Sequence, residues 1–283
     1  MRTVRILLDN IRFEHTIFAL PFAYLGMVLA VRGLPTWGQV LWVTVAMASA
    51  RTLAMSVNRV IDAEIDARNP RTSGRPIPQG LLSGRAVWLL ALLSLGVLLI
   101  SAWLLNDLCL RLAPLAVAVL VIYPYTKRFT WLSHAVLGLA DGIAPAGGWI
   151  AVTPSFAWEP VLLATAVGLW VGGFDLIYAC QDVDFDRHEG LYSIPARFGI
   201  PAALTLSAAA HALTVGLLAA LGLLMGLTWP FWAGWLLACA LLVYEHRLVS
   251  PTDLSRLNEA FFNVNGYIAI VVFVGTFTSL FVG

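Results

Sequence analysis

Acidic residues are scarce in this 283-residue chain, 16 in all, and many of them fall into two short runs. The first run reads Asn58-Arg-Val-Ile-Asp62-Ala-Glu64-Ile-Asp66. A spacing of four puts Asn58, Asp62 and Asp66 on one face of a helix. Arg51 lies on the same face two turns earlier, and Glu64 points elsewhere. The second run is Asp175-Leu-Ile-Tyr178-Ala-Cys-Gln-Asp182-Val-Asp184-Phe-Asp186. Its spacings put Asp175, Tyr178, Asp182 and Asp186 on one face and leave Asp184 off it. Carboxylates gathered in this way repel one another, and a hard cation relieves the repulsion. Mg²⁺ typically takes one or two carboxylates together with water and substrate phosphate oxygens. Arg59, Arg68, Arg71 and Arg75 follow the first run, and Arg187 and Arg197 the second. Guanidinium groups match phosphate oxygens in geometry. Two carboxylate pairs, Asp62/Asp66 and Asp182/Asp186, with arginines beside them, predict a magnesium–diphosphate site. The plainer alternative is a solvated surface on which loop carboxylates pair with loop arginines. Two matched loops in so charge-poor a chain argue against it.

The elements that carry these residues follow from composition. The chain is 60% hydrophobic and 12% charged, with a mean hydropathy of +0.84. Soluble domains carry about 25% charge. Disorder is excluded, and an integral membrane protein is the expectation. Hydrophobic runs predict nine spans, near 16–32, 38–57, 86–105, 109–124, 131–152, 159–178, 202–227, 229–244 and 260–282. The expected fold is all-α: one polytopic domain, 1–283, with nine transmembrane helices around a central cavity open to the cytoplasmic side. Residues 1–14 read as amphipathic, with no cleavable signal peptide. A net charge of +1 gives no reason to expect nucleic acid. Cys109, Cys180 and Cys239 have no metal-type spacing and read as small apolar residues.

Basic residues set the orientation. With nine spans, 14 of the 17 Lys and Arg fall on the side of the N-terminus, Arg32 and Arg111 fall on the other, and Arg51 lies within a span. The expectation is a cell inner (plasma) membrane protein with a cytoplasmic N-terminus. The two long loops, 58–85 and 179–201, are then both cytoplasmic and four spans apart.

Taken with their spacing and order, these residues resemble the UbiA superfamily of intramembrane prenyltransferases. The first motif is Asn58-x3-Asp62-x3-Asp66 and the second is Asp175-x2-Tyr178-x3-Asp182-x3-Asp186. Tyr123-Pro-Tyr-Thr-Lys127-Arg128 is similar to the family's basic turn after the fourth helix, and Arg68-Asn-Pro-Arg71 with Arg75-Pro76 to its loop after the first motif. Glu14-His-Thr-Ile-Phe-Ala-Leu-Pro21 and Arg187-His-Glu-Gly-Leu-Tyr-Ser-Ile-Pro-Ala-Arg197 look most like the MqnP-like menaquinone branch, whose acceptor is a dihydroxynaphthoate. Many relatives are called 4-hydroxybenzoate polyprenyltransferases.

The resemblance implies Mg²⁺-dependent transfer of a polyprenyl group from its diphosphate to a small hydroxylated aromatic acid, in quinone biosynthesis (menaquinone or ubiquinone). By carry-over, Asp62 and Asp66 bind one Mg²⁺ and Asp182 and Asp186 the other. Asn58 supports the first metal or the acceptor. Arg71, Lys127 and Arg128 hold diphosphate, with Asp175 and Tyr178 in the substrate site. Many members carry a lysine after the second motif; here Arg187 and Arg197 stand as its replacements. Arg51 is the candidate for the acceptor's carboxylate, against a buried ion pair, for instance with Asp141. Two rival functions stand beside this one. A transporter with cytoplasmic cation sites would favour midplane carboxylates without arginines. A different membrane transferase, such as a CDP-alcohol phosphotransferase, concentrates its aspartates in a single motif.

Other polar residues have plainer expectations. His134, His211 and His246 read as helix-packing residues, and His15 as interfacial. His188 has a lesser claim on phosphate. Asp141, among Gly138, Gly142 and Pro145, reads as lining a cavity beside a kinked helix. Asn263 and Asn265 read as interhelical hydrogen bonders, and Trp37, Trp42, Trp158 and Trp229 as interfacial anchors. Gly26, Gly96, Gly168 and Gly172 read as close helix packing.

Overall fold

The structure is a computed structural model that describes residues 6–7, 10 and 16–282. The expectations for His15 and for most of residues 1–14 lie outside the described residues. Among the described residues the secondary structure is helical apart from an isolated bridge between Ser250 and Asp253. The chain forms two compact units: residues 1–20 with 37–125, and residues 21–36 with 126–283.

The first unit is built on α2 (Trp37–Ile61), the short α3 (Ala63–Arg68), α4 (Gly84–Leu105) and α5 (Asp107–Thr126, whose last residue belongs to the second unit). Helix α2 packs along α4 around Leu53, Val57, Ala91 and Leu98, with Val117 and Val121 of α5 against them. Ser83 caps α4, its hydroxyl accepting from the Ala86 amide at 3.2 Å.

The second unit takes most of α1 (Thr16–Val31), then α6 (Ser133–Val152), α7 (Trp158–Ala179), a 3₁₀ turn (Cys180–Asp182) and α8 (Val183–His188). It continues through α9 (Ile194–Phe198), α10 (Ile200–Met225) and α11 (Trp229–Leu248) to a π-helical turn (Glu259–Val264) and α12 (Asn265–Ser279). Glycine brings α6 and α7 together. A Cβ on Gly138 would fall onto the carbonyl oxygen of Gly168, and one on Gly142 onto that of Ala164. Such small-residue seams let helix backbones approach within a membrane, where apolar burial gives little drive to associate.

Seven helical segments among the described residues are long and apolar enough to cross a membrane. They are Trp37–Ile61, Gly84–Leu105, Asp107–Thr126, Ser133–Val152, Trp158–His188, Ile200–Met225 and Glu259–Ser279. The first and eighth expected spans are also helical, but fall short on those criteria. Helix α1 has 16 described residues, Thr16–Val31, fewer than those criteria require. Helix α11 opens with Trp229 and Pro230, adds Trp232 and Trp235, and ends in Glu245, His246 and Arg247, all of which lower its hydropathy. Trp37, Trp158 and Trp229 are each the first residue of a helix and are exposed at 88%, 67% and 69%, as ring anchors at a lipid–water boundary would be.

Candidate active site

The first motif sits where α2 gives way to α3. The helix is interrupted at Asp62 (φ −90°, ψ 2°). Its register survives the break: the Asp62 amide donates to the Asn58 carbonyl at 2.9 Å and the Asp66 amide to the Asp62 carbonyl at 2.7 Å. Asn58, Asp62 and Asp66 therefore share a face, and Asn58 Nδ2 donates to Asp62 Oδ2 at 3.2 Å. Asp62 and Asp66 are buried, whereas Glu64 is exposed. Arg51 lies half-buried in α2, two turns before Asn58.

The arginines around this motif divide by role. Arg75 pairs with Asp66, Nη1 to Oδ2, at 2.6 Å. Arg59, expected beside phosphate, is buried instead: its Nε donates to the Asn10 carbonyl at 2.9 Å. The loop that returns to α4 is a built turn. Asn69 Oδ1 accepts from the Arg71 amide at 2.9 Å, and the Thr72 hydroxyl donates to the Asp66 carbonyl at 3.0 Å. Asn69 and Thr72 are buried beneath it, while Arg68 and Arg71 are exposed.

In the second unit, Asp175 and Tyr178 lie on the last turns of α7, Asp182 ends the 3₁₀ turn and Asp186 lies in α8. Asp184 is exposed, as its register demands. The Ser193 hydroxyl donates to Asp186 Oδ2 at 2.7 Å and accepts from the Ala196 amide at 3.3 Å, so one side chain caps α9 and holds the aspartate. The Tyr192 amide donates to the Lys127 carbonyl at 2.7 Å, bringing the basic turn beside this loop. Lys127, His134 and Asp182 all lie within electrostatic reach of Asp186. Arg128 follows in the same turn, half-buried. Arg187 bends back, its Nε donating to the Ala196 carbonyl at 2.9 Å, and Arg197 lies exposed with its guanidinium 5.5 Å from the Phe198 ring.

Sequence reasoning missed one participant. His134, expected as a packing residue, places Nδ1 2.7 Å from Asp175 Oδ2. A carboxylate only accepts, so Nδ1 carries the proton of this bond. The two residues are 41 positions apart, and the glycine seam between α6 and α7 joins them. A polar residue one turn before Gly138 was the only available signal.

Both carboxylate pairs offer hard oxygen donors suited to Mg²⁺. Among the described residues, no three His, Cys, Asp or Glu side chains gather into a cage that would hold a metal unaided.

Comparison with known proteins gives the family. Residues 19–267 match the UbiA prenyltransferase family, and the chain belongs to that family. It is 30% identical over 255 residues to a 4-hydroxybenzoate octaprenyltransferase of Vibrio atlanticus, covering 89% of this chain and 88% of the relative. It is similar to a UbiA homolog from Aeropyrum pernix K1, solved in an apo state, with a TM-score of 0.86, 36% identity and coverage of 93% of this chain and 97% of that one. A UbiA homolog from Archaeoglobus fulgidus, solved bound to GPP and Mg²⁺, shares the fold at a TM-score of 0.75 and 20% identity, over 98% of this chain and 100% of that one.

Proposed function

We propose that this protein transfers a polyprenyl group from polyprenyl diphosphate to a hydroxylated aromatic acid, of the 4-hydroxybenzoate or dihydroxynaphthoate type, in respiratory quinone biosynthesis. The observation that carries the reading is the pair of aspartate faces at helix ends, each with basic side chains at hand, in a chain of the UbiA family. The relatives named for 4-hydroxybenzoate and the fold relative bound to GPP and Mg²⁺ support it. Family similarity through both compact units supports a single prenyltransferase domain. The reading includes nine spans around a central cavity open to the cytoplasm, in the cell membrane, with the N-terminus cytoplasmic.

Each group has a physical task. Asp62 and Asp66, and Asp182 and Asp186, would hold Mg²⁺, which neutralises charge developing on the diphosphate leaving group. Asn58 steadies the Asp62 carboxylate. Arg75 stands close enough to Asp66 to pass from that carboxylate to a phosphate oxygen. Lys127 and Arg128 present positive charge beside the second motif, with Arg71 presenting it beside the first. Arg187 and Arg197 are held close to the loop they close, and we assign them an outer electrostatic role. Asp175, locked by His134, and Tyr178 are assigned to the substrate site, and Tyr faces can stabilise an allylic cation. Arg51 is assigned to the acceptor's carboxylate.

The test is direct. The purified protein is given Mg²⁺, a polyprenyl diphosphate, and either 4-hydroxybenzoate or 1,4-dihydroxy-6-naphthoate. A prenylated acid detected by mass spectrometry is the expected result, and the productive acceptor assigns the pathway. Cation flux in proteoliposomes with no product from either acid would replace this reading with a transporter.

A further inference from the structure

The most elaborate polar cluster outside the motifs lies among α7, α10, α11 and the start of α12, all in the second unit. Glu245 is fully buried at 0% exposure, His211 is at 2% and Asn265 at 5%. His211 Nε2 lies 3.2 Å from the Trp170 carbonyl, which can only accept, so Nε2 donates. Its Nδ1 lies 2.9 Å from His246 Nε2 and 3.9 Å from Glu245 Oε2. Glu245 Oε1 accepts from the Asn265 amide at 3.0 Å. The expected interhelical bond of Asn265 is thus made to an acid on α11; Asn263 is exposed instead.

Asn265 also addresses the backbone behind it. Its Nδ2 lies 3.1 Å from the Ala260 carbonyl and 3.2 Å from the Phe261 carbonyl. Its own backbone amide bonds to the Phe262 carbonyl. In a regular α-helix that amide would serve Phe261. One Nδ2 proton serves Glu245, and the other is shared between the Ala260 and Phe261 carbonyls, so the side chain ties the π-helical turn to α11. A single π-helical turn within a helix frequently marks a functional site.

The turn decides where one aromatic ring goes. Phe261 wedges between two rings of α7: it lies 5.2 Å from Phe174, edge-on, and 4.1 Å from Tyr178 at 30°. Trp170, Phe174 and Tyr178 are four residues apart and line one side of α7, with Trp170 edge-on to Phe174 at 5.1 Å. Tyr178 is itself a member of the second aspartate motif. If the turn relaxed to a regular α-helix, each residue before Asn265 would rotate by about 100° per residue gained, and Phe261 would leave Tyr178.

We infer that Asn265 and Glu245 are positioning residues for the transferase site: they hold the π-helical turn that seats Phe261 against Tyr178, and so fix the aromatic wall of the second motif. The inference rests on the proposed prenyl transfer for its effect on turnover, but not for its geometry. A purely structural network would stabilise the bundle without acting on Tyr178.

The experiment uses the full chain in lipid nanodiscs with Mg²⁺, polyprenyl diphosphate and the productive acid. Asn265→Leu, Glu245→Leu and Phe261→Leu should each lower kcat by about tenfold or more, while KM for the diphosphate stays within about threefold. Glu245→Gln keeps an oxygen for Asn265 and should restore most of the turnover. The double variant Asn265→Leu/Phe261→Leu should be no slower than the worse single variant, because both remove one effect. Multiplying losses in the double variant, or lost stability with kcat retained, would overturn the inference. A second readout needs no turnover. Amide hydrogen exchange over residues 174–182 should accelerate in Asn265→Leu and in Phe261→Leu, and unchanged exchange in both overturns it. A wild-type protein that makes no prenylated product refutes the proposed function, while the exchange result still judges the positioning.

Discussion

The pairing of His134 with Asp175 gives a quantitative prediction. The bond spans α6 and α7 at 2.7 Å, with His134 at 7% and Asp175 at 21% side-chain exposure. A hydrogen bond to a charged group contributes roughly 1.5–3 kcal/mol net. Partial exposure of Asp175 screens part of that, so about 2 kcal/mol is the expected loss on His134→Leu. For a domain of this size about 2 kcal/mol corresponds to roughly 4–8 °C in the unfolding midpoint. Asp175→Leu should cost a similar amount, because it leaves the imidazole N–H buried and unmet. The double variant should recover part of the sum, with a coupling energy of about 1–2 kcal/mol, since contacting residues are not additive. Thermal unfolding in one detergent, followed by tryptophan fluorescence for all four proteins, measures the cycle. His134→Gln retains a donor and should lie between wild type and His134→Leu. Strict additivity, or a His134→Leu midpoint equal to wild type, would refute a bond between these two residues that matters to the fold.

Three further outcomes follow from the same geometry. Gly138→Val should prevent stable assembly of α6 on α7, because its Cβ would lie on the Gly168 carbonyl; yield of folded protein by gel filtration is the measure, and a normal monodisperse peak would contradict the packing. Ser193→Ala should cost about 1 kcal/mol through loss of the α9 cap, and should also raise the Mg²⁺ concentration for half-maximal turnover by releasing Asp186. Arg75→Gln should raise KM for the polyprenyl diphosphate several-fold while lowering the Mg²⁺ requirement, since Arg75 shares the Asp66 carboxylate; steady-state kinetics over a Mg²⁺ series separates the two effects.

What could be read from the sequence was whatever depends on spacing within one helix. Asn58, Asp62 and Asp66 share a face because the 3.6-residue repeat puts them there, and the break at Asp62 does not change the register. Asp184 and Glu64 are exposed for the same reason. Hydropathy located the helices, because a segment that crosses lipid must satisfy its own backbone and be apolar over about 20 residues. Among the described residues, seven segments meet the length and composition criteria for crossing a membrane. Proline and three tryptophans lower the hydropathy of α11.

Pairings between helices were decided only by the tertiary structure. Asp175 meets His134, Arg59 meets Asn10, and Glu245 meets Asn265, across 41, 49 and 20 positions of chain. No repeat in the sequence encodes such pairs. They depend on how closely two backbones approach and how each helix is rotated, and a missing Cβ at Gly138 or one widened turn before Asn265 sets those quantities. The sequence alone determined which side chains stand in line along a helix. The packing determined which of them a neighbouring helix holds in place.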